Sequence, residues 1–219
     1  MDTATFLASV VAPGNYMAIC FKTAGKPMVQ RFFPRTNTQE AAGFIHWADG
    51  KAMDVWYAPA SFKLAEAKPD QRGSIIFKGE RTHANVDRLS CFWYDADIKR
   101  DGDGKDPSQC FASYGAVEGW VKTLPDILNA PNLWVRSGYG VHLYWVINRP
   151  LTRNEWEPRA QLLKTALIHH NAPGDVGITS DASRILRPPN TRNHKVQDQP
   201  VPVTIVRDTI TQGARYGTD

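Results

Sequence analysis

The chain has 219 residues, 42% of them hydrophobic and 22% charged, which suits one large domain or two small lobes sharing a real core. A net charge of +4 leans mildly toward a polyanionic partner and falls far short of a basic nucleic-acid tail. Three scattered cysteines without zinc spacing, no signal-like start and no long apolar run exclude a disulfide scaffold, a zinc knuckle and a membrane span, so a soluble protein of the cytoplasm is expected (the host's, if a phage encodes it).

"YMAICFK" (16–22) and "PMVQRFF" (27–33) read as two strands joined by a turn. "NTQEAAGFIHWADG" (37–50) reads as a helix, with Asn37 at the cap, Glu40 completing a capping box and Gly50 as the stop. "MDVWYAPASF" (53–62) is another strand, and a polar, Lys-rich connection follows to about residue 88. Residues 1–88 thus form an expected N-terminal α/β lobe and 89–219 a second lobe. In the second lobe, "LSCFWYDADI" (89–98) is a strand, "SYGAVEGWVKTL" (113–124) a helix and "NLWVR" (132–136) a strand. "SGYG" (137–140) turns the chain into the strand "VHLYWVI" (141–147). "TRNEWEPRAQLLKTALIHHN" (152–171) is a helix, because Trp156, Ala160, Leu163 and Leu167 recur at helical spacing. The last strand is either "DVGI" (175–178) or "VPVTIV" (201–206). The order β-α-β-β-α-β makes this an α+β chain with an RRM- or ferredoxin-like unit.

In that unit the first and third strands lie side by side. Strand side chains alternate between faces, so Cys91, Trp93, Asp95 and Asp97 share one face with His142 and Tyr144. Val141, Leu143, Trp145 and Ile147 form an apolar face that belongs against helices. The two acids, with Trp93 and Tyr144, are then expected on an open face, where ionised carboxylates escape the cost of burial.

Two carboxylates at i and i+2 on a strand suit hard divalent ions such as Mg²⁺ or Mn²⁺, and a pair of such ions can clamp a phosphoryl displacement. Taken alone, "DAD" is better read as a strand end entering an acidic loop. "DGDGKD" (101–106) lacks the glycine and glutamate of a calcium loop and reads as a solvated turn. In "VRSGYGVHLYW" (135–145), Gly138 and Gly140 would bare backbone N–H groups as a phosphate cradle, with Ser137 and His142 adding side-chain donors. "DASRILR" (181–187) reads as one or two helical turns capped by Asp181, placing Arg184 and Arg187 on one side. With Arg192 and Lys195 they suit a triphosphate or a nucleic-acid backbone.

Together "DAD", "SGYGVHLYW" and "D…D-x-x-R-I-L-R-x-P-x-T-x-N-x-K" resemble the three motifs of the archaeo-eukaryotic primase superfamily, in its phage and plasmid primase-polymerase branch. The resemblance spans roughly residues 50–195. It implies that Asp95 and Asp97 bind catalytic Mg²⁺ or Mn²⁺ in a two-metal site, and that Ser137 and His142 hold the incoming triphosphate. It also implies nucleotide contacts by Arg184, Arg187, Asn193 and Lys195 of the third motif. A third-motif acid would complete the catalytic metal site: Asp175, which precedes a short apolar "VGI", with Asp181, better explained as a helix cap, as the alternate. The usual Pro-Gly-Thr appears as Pro189-Asn190-Thr191, and asparagine tolerates left-handed backbone.

The implied activity is DNA priming or polymerisation on a single-stranded DNA template, with a primer strand and dNTP or NTP as partners. The resemblance leaves room for a helicase domain or partner, and "QGARYGTD" ends the chain without a closing element, as a fragment would. A non-catalytic RRM-like module would instead stack bases on Trp93 and Tyr144. A rolling-circle nicking initiator needs a His-hydrophobe-His pair, and only the adjacent His169-His170 occurs.

Overall fold

A computed structural model describes residues 1–217 apart from 72, 101–103, 127, 129 and 197, so the expected acidic turn at 101–106 lies partly outside the described residues. The chain opens on a helix that sequence reading does not assign, α1 (Thr3–Val10), capped by Asp2, whose carboxylate accepts from the Thr5 N–H at 2.7 Å. Thr3, Ala4, Phe6, Leu7 and Val10 are all buried, so this short helix carries little of the polar face that marks a helical period. The expected elements follow as β1 (Tyr16–Lys22), β2 (Val29–Pro34), α2 (Thr38–Gly50) and β3 (Asp54–Phe62). Asn37 caps α2 by accepting from the Glu40 N–H at 3.2 Å. The polar connection expected after residue 62 contains a hairpin, β4 (Glu66–Pro69) and β5 (Ile75–Lys78). β4 is exposed along its whole length, which leaves no alternation to read.

The second half contributes β6 (Val86–Asp97), α3 (Tyr114–Val121), β7 (Leu133–Arg136), β8 (Gly140–Thr152), α4 (Arg153–His169), β9 (Thr191–Asn193) and β10 (Val201–Asp208). Trp156, Ala160, Leu163 and Leu167 are the buried residues of α4. Of the two candidates for a final strand, 201–206 falls in β10, whereas 176–180 is a 3₁₀ turn.

One expected element is absent. Residues 181–187 form a turn and an extended stretch instead of helix. Leu186 and Tyr57 exchange backbone hydrogen bonds at 2.9 Å in both directions, which holds the segment as a strand-like bridge. Pro188 adds to this, because a residue before proline is pushed out of the helical region.

Among the described residues ten strands form one antiparallel sheet in the order β4-β5-β2-β1-β3-β6-β8-β7-β10-β9. β6 and β8 are neighbours, as the β-α-β-β-α-β reading requires. β3 occupies the other side of β6, so the two halves of the chain share a sheet. Tyr94, Ala96, Val141, Leu143 and Trp145 pack against α3 and α4 on one face. Ile147 departs from the expected apolar face and joins the core on the other side.

The face expected to be open is closed along most of its length. Trp93 and Tyr144 are both 0% exposed. Phe6 of α1 sets its ring edge against Tyr57 and Tyr144, with centroids 5.2 and 6.2 Å away. Trp156 stacks on Trp93 at 5.1 Å, and the Trp93 indole N–H donates to the Ile178 carbonyl at 3.1 Å. Burying each large ring stabilises the fold by roughly 2–3 kcal/mol, which favours covering this face. Only its far end, at Asp95 and Asp97, remains open.

Candidate active site

The site begins where β6 runs out of cover. Across the β6–β8 pair, Asp95 stands opposite His142 and Asp97 opposite Gly140. The Asp95 and Asp97 side chains are 21% and 41% exposed, so both acids reach solvent from a buried strand. His142 Nε2 lies 3.5 Å from Asp95 Oδ1. Burial holds the His142 imidazole below its ordinary range, with Asp95 opposing and Arg187 and Arg184 reinforcing the shift. Burial thus favours the uncharged form of the ring that faces the acids.

The β7–β8 turn closes one side. The Ser137 N–H donates to the Gly140 carbonyl at 2.9 Å around a two-residue loop whose first member, Gly138, has φ +93°. Glycine is the residue that a primed hairpin turn needs there. At Gly140 the need is steric, since a Cβ would lie 2.7 Å from the Ala96 carbonyl oxygen.

The segment from Asp181 to Lys195 closes the other side. Arg184 reaches to 3.9 Å from Asp95, while Arg187 donates to Asp54 at 2.6 Å and lies over the Trp56 ring. Asn193 donates to the Ser137 carbonyl at 2.9 Å and accepts from the Lys195 N–H at 3.1 Å, tying this segment to the hairpin turn. Asn190 adopts φ +63°, the left-handed backbone expected at the Pro-Asn-Thr turn.

These elements enclose one cleft of about 150 Å³, lined by Asp95, Asp97, Ser137, His142 and Asn193 together with the cations Arg100, Lys105, Arg184, Arg187 and Lys195. Two acids at the mouth of a basic cleft set a definite chemistry: the cations suit an anionic ligand, and the acids require a cation. The acids already draw protein cations, with Lys105 at 2.5 Å from Asp97 as well as Arg184 near Asp95. Among the described residues no group of three or more His, Cys, Asp or Glu side chains forms a metal cage. Two hard carboxylates nevertheless fit Mg²⁺ or Mn²⁺, which is commonly held by one or two carboxylates, water and substrate phosphates.

The sequence matches no protein-family model and no curated protein. The structure does have solved neighbours. It is similar to the AEP domain of the cyanophage S-2L primase-polymerase (TM-score 0.55, 15% identity), over 93% of this chain and 85% of that one. It is similar to the catalytic domain of primase RepB′ in complex with initiator DNA (TM-score 0.56, 12% identity), over 98% and 88%. A longer RepB′ structure matches with TM-score 0.56 and 12% identity over 97% of this chain, which spans 58% of that one. The chain has the fold of the archaeo-eukaryotic primases.

Within this primase fold the residues singled out from sequence divide into two groups. Asp95, Asp97, Ser137, His142, Arg184, Arg187, Asn193 and Lys195 line one cleft, with Gly138 and Gly140 shaping its turn. Asp175 and Asp181 do not line it. Asp175 is exposed and accepts from the Gly177 N–H at 2.9 Å. Asp181 accepts from the Ser183 N–H at 2.9 Å and meets His83 Nε2 at 3.0 Å, so it caps a turn where a helix was expected. Arg192 also lies outside, 3.7 Å from Asp49.

Sequence reading missed Trp56, Arg100, Lys105 and Tyr139 in the cleft, and Asp54 and Asp49 behind it. Asp54 holds Arg187 and the His194 N–H; Asp49 holds the Arg192 N–H and His194 Nε2. The available signal was an acid at each end of the α2–β3 connection, in positions that no local cap or pair required.

Proposed function

We propose that this protein is a DNA primase-polymerase, transferring nucleotides to a primer strand on a single-stranded DNA template. The observation that carries this reading is the pair Asp95 and Asp97 on one strand face at the mouth of a cleft lined by five cations. Arg184, Arg187 and Lys195 would bind the polyphosphate of a dNTP or NTP, with Ser137 and His142 contributing neutral donors. Asp95 and Asp97 would hold Mg²⁺ or Mn²⁺, releasing Lys105 and Arg184 from the acids. When bound, the divalent ions lower the pKa of the attacking 3′-hydroxyl and stabilise the pyrophosphate leaving group. Asp54 fixes the Arg187 guanidinium so that little side-chain freedom is lost when an anion arrives. The RepB′ catalytic domain was solved with initiator DNA, which supports the same class of partner here.

A base-stacking RRM-like module finds no support, because Trp93 and Tyr144 are buried. The deciding experiment incubates the protein with single-stranded DNA, labelled nucleotides and Mg²⁺ or Mn²⁺, with and without a primer. Incorporation is expected in the wild type and should fall at least a hundredfold, roughly, in Asp95→Ala and Asp97→Ala, with melting temperatures near wild type. Wild-type incorporation by both variants would refute the role given to the acids.

A further inference from the structure

Three rings and a carboxylate form a file from the core to the cleft. Tyr57 and Tyr144 hydroxyls are 2.9 Å apart, the Tyr144 hydroxyl is 3.4 Å from His142 Nδ1, and His142 Nε2 is 3.5 Å from Asp95. Both tyrosines are 0% exposed and His142 is 3% exposed, so these polar atoms must find their partners within the file. Burial raises both phenols well above their ordinary range, which keeps each hydroxyl a donor.

A neutral imidazole offers one N–H and one lone pair. If the lone pair sat on Nε2, it would face the Asp95 Oδ1 oxygen, acceptor against acceptor. The file would then run outward to inward, leaving the Tyr57 proton without an acceptor among the described residues. With the proton on Nε2, Tyr57 donates to Tyr144, Tyr144 donates to Nδ1, and Nε2–H points to Asp95. Every donor is then used.

We propose that Tyr57 and Tyr144 are positioning residues that lock His142 in its Nε2–H tautomer and aim that N–H into the cleft. Its use rests on the nucleotidyl-transfer reading: once divalent ions occupy Asp95, the freed N–H donates to a phosphate oxygen of the nucleotide. The tautomer itself does not depend on that reading.

The test is ¹⁵N NMR of histidine-labelled full-length protein at alkaline pH, where His142→Gln assigns the His142 signals. The wild type should show a pyrrole-type Nε2 and a pyridine-type Nδ1. Tyr144→Phe should move both shifts toward the tautomer mixture of a free imidazole and weaken nucleotide binding about five- to tenfold, with single-stranded DNA affinity unchanged. Tyr57→Phe leaves the donor to Nδ1 in place and should change both less. A wild-type Nδ1–H, unchanged shifts in Tyr144→Phe, or a larger effect in Tyr57→Phe would each overturn the proposal. If Tyr144→Phe does not fold, the wild-type spectrum and Tyr57→Phe still decide. Shifts that move as expected in a protein that incorporates no nucleotide would support the tautomer lock and refute the polymerase reading.

Discussion

At the scale of single residues, the cleft depends on backbone conformations that few side chains accept. Asn190 turns the chain with φ +63° between Pro189 and Thr191, and its N–H donates to the Val203 carbonyl at 2.8 Å. A Cβ-bearing residue other than asparagine or aspartate is strained there. Asn190→Ala should cost about 1 kcal/mol, whereas Asn190→Gly should stay within a few tenths. Chemical denaturation of both variants checks the order, and equal losses would place the strain elsewhere. Asp54 illustrates the opposite situation: its value lies in a partner 133 positions along the chain, the buried Arg187.

At the scale of elements, α4 is anchored by its first turn. Thr152 and Glu155 form a capping box, and the Thr152 N–H and hydroxyl donate to Glu155 Oε2 at 2.9 and 2.8 Å. The Thr152 backbone bond, the Thr152 hydroxyl and Arg149 hold the Glu155 carboxyl at about 2, down from 4.5. Between those values the unfolded chain binds a proton that the folded chain does not. The stability this group lends is therefore complete above about 4.5 and is lost as the pH falls toward 2. Glu155→Gln should flatten that part of the acid limb, as read from melting temperature against pH. An unchanged limb would remove Glu155 from the account of acid stability. The same element carries Trp156, whose indole N–H donates to the Cys91 carbonyl at 2.9 Å, so the anchored turn also seats β6.

At the scale of the whole molecule, one sheet crosses the boundary near residue 88. β3 pairs with β6, and one core cluster gathers Phe6, Tyr57, Trp93, Tyr144, Leu186 and Val203. Removing residues 1–88 would strip a β6 edge and uncover Trp93 and Tyr144, a large exposed apolar patch. The full chain should unfold in one transition, with circular dichroism and tryptophan fluorescence coincident. A chain starting at Leu89 should aggregate or bind hydrophobic dye. Two separate transitions, or a monomeric and cooperative 89–219 fragment, would show that the lobes fold independently.

What could be read from sequence follows local rules. The strands around "CFWYDAD" and "VHLYWVI", the cap at Asn37, the buried stripe of α4 and the left-handed Asn190 all depend on neighbours within a few residues, where period and propensity act. The strand alternation also placed Asp95, Asp97 and His142 together, because side-chain direction is fixed once two strands pair. Other features depended on residues far apart in the chain. Whether the Trp93–Tyr144 face was open or covered was decided by distant segments: Phe6 of α1 covers Tyr144, while Trp156 and the turn at Ile178 cover Trp93. Residues 181–187 became strand-like because Tyr57 supplied backbone partners, outweighing a local helical signal. Asp54 and Asp49 look like ordinary acids in sequence, and only folding brings Arg187 and His194 to them. Periodicity encodes which face of an element is apolar. What covers that face depends on long-range packing and loop closure, which no local window contains.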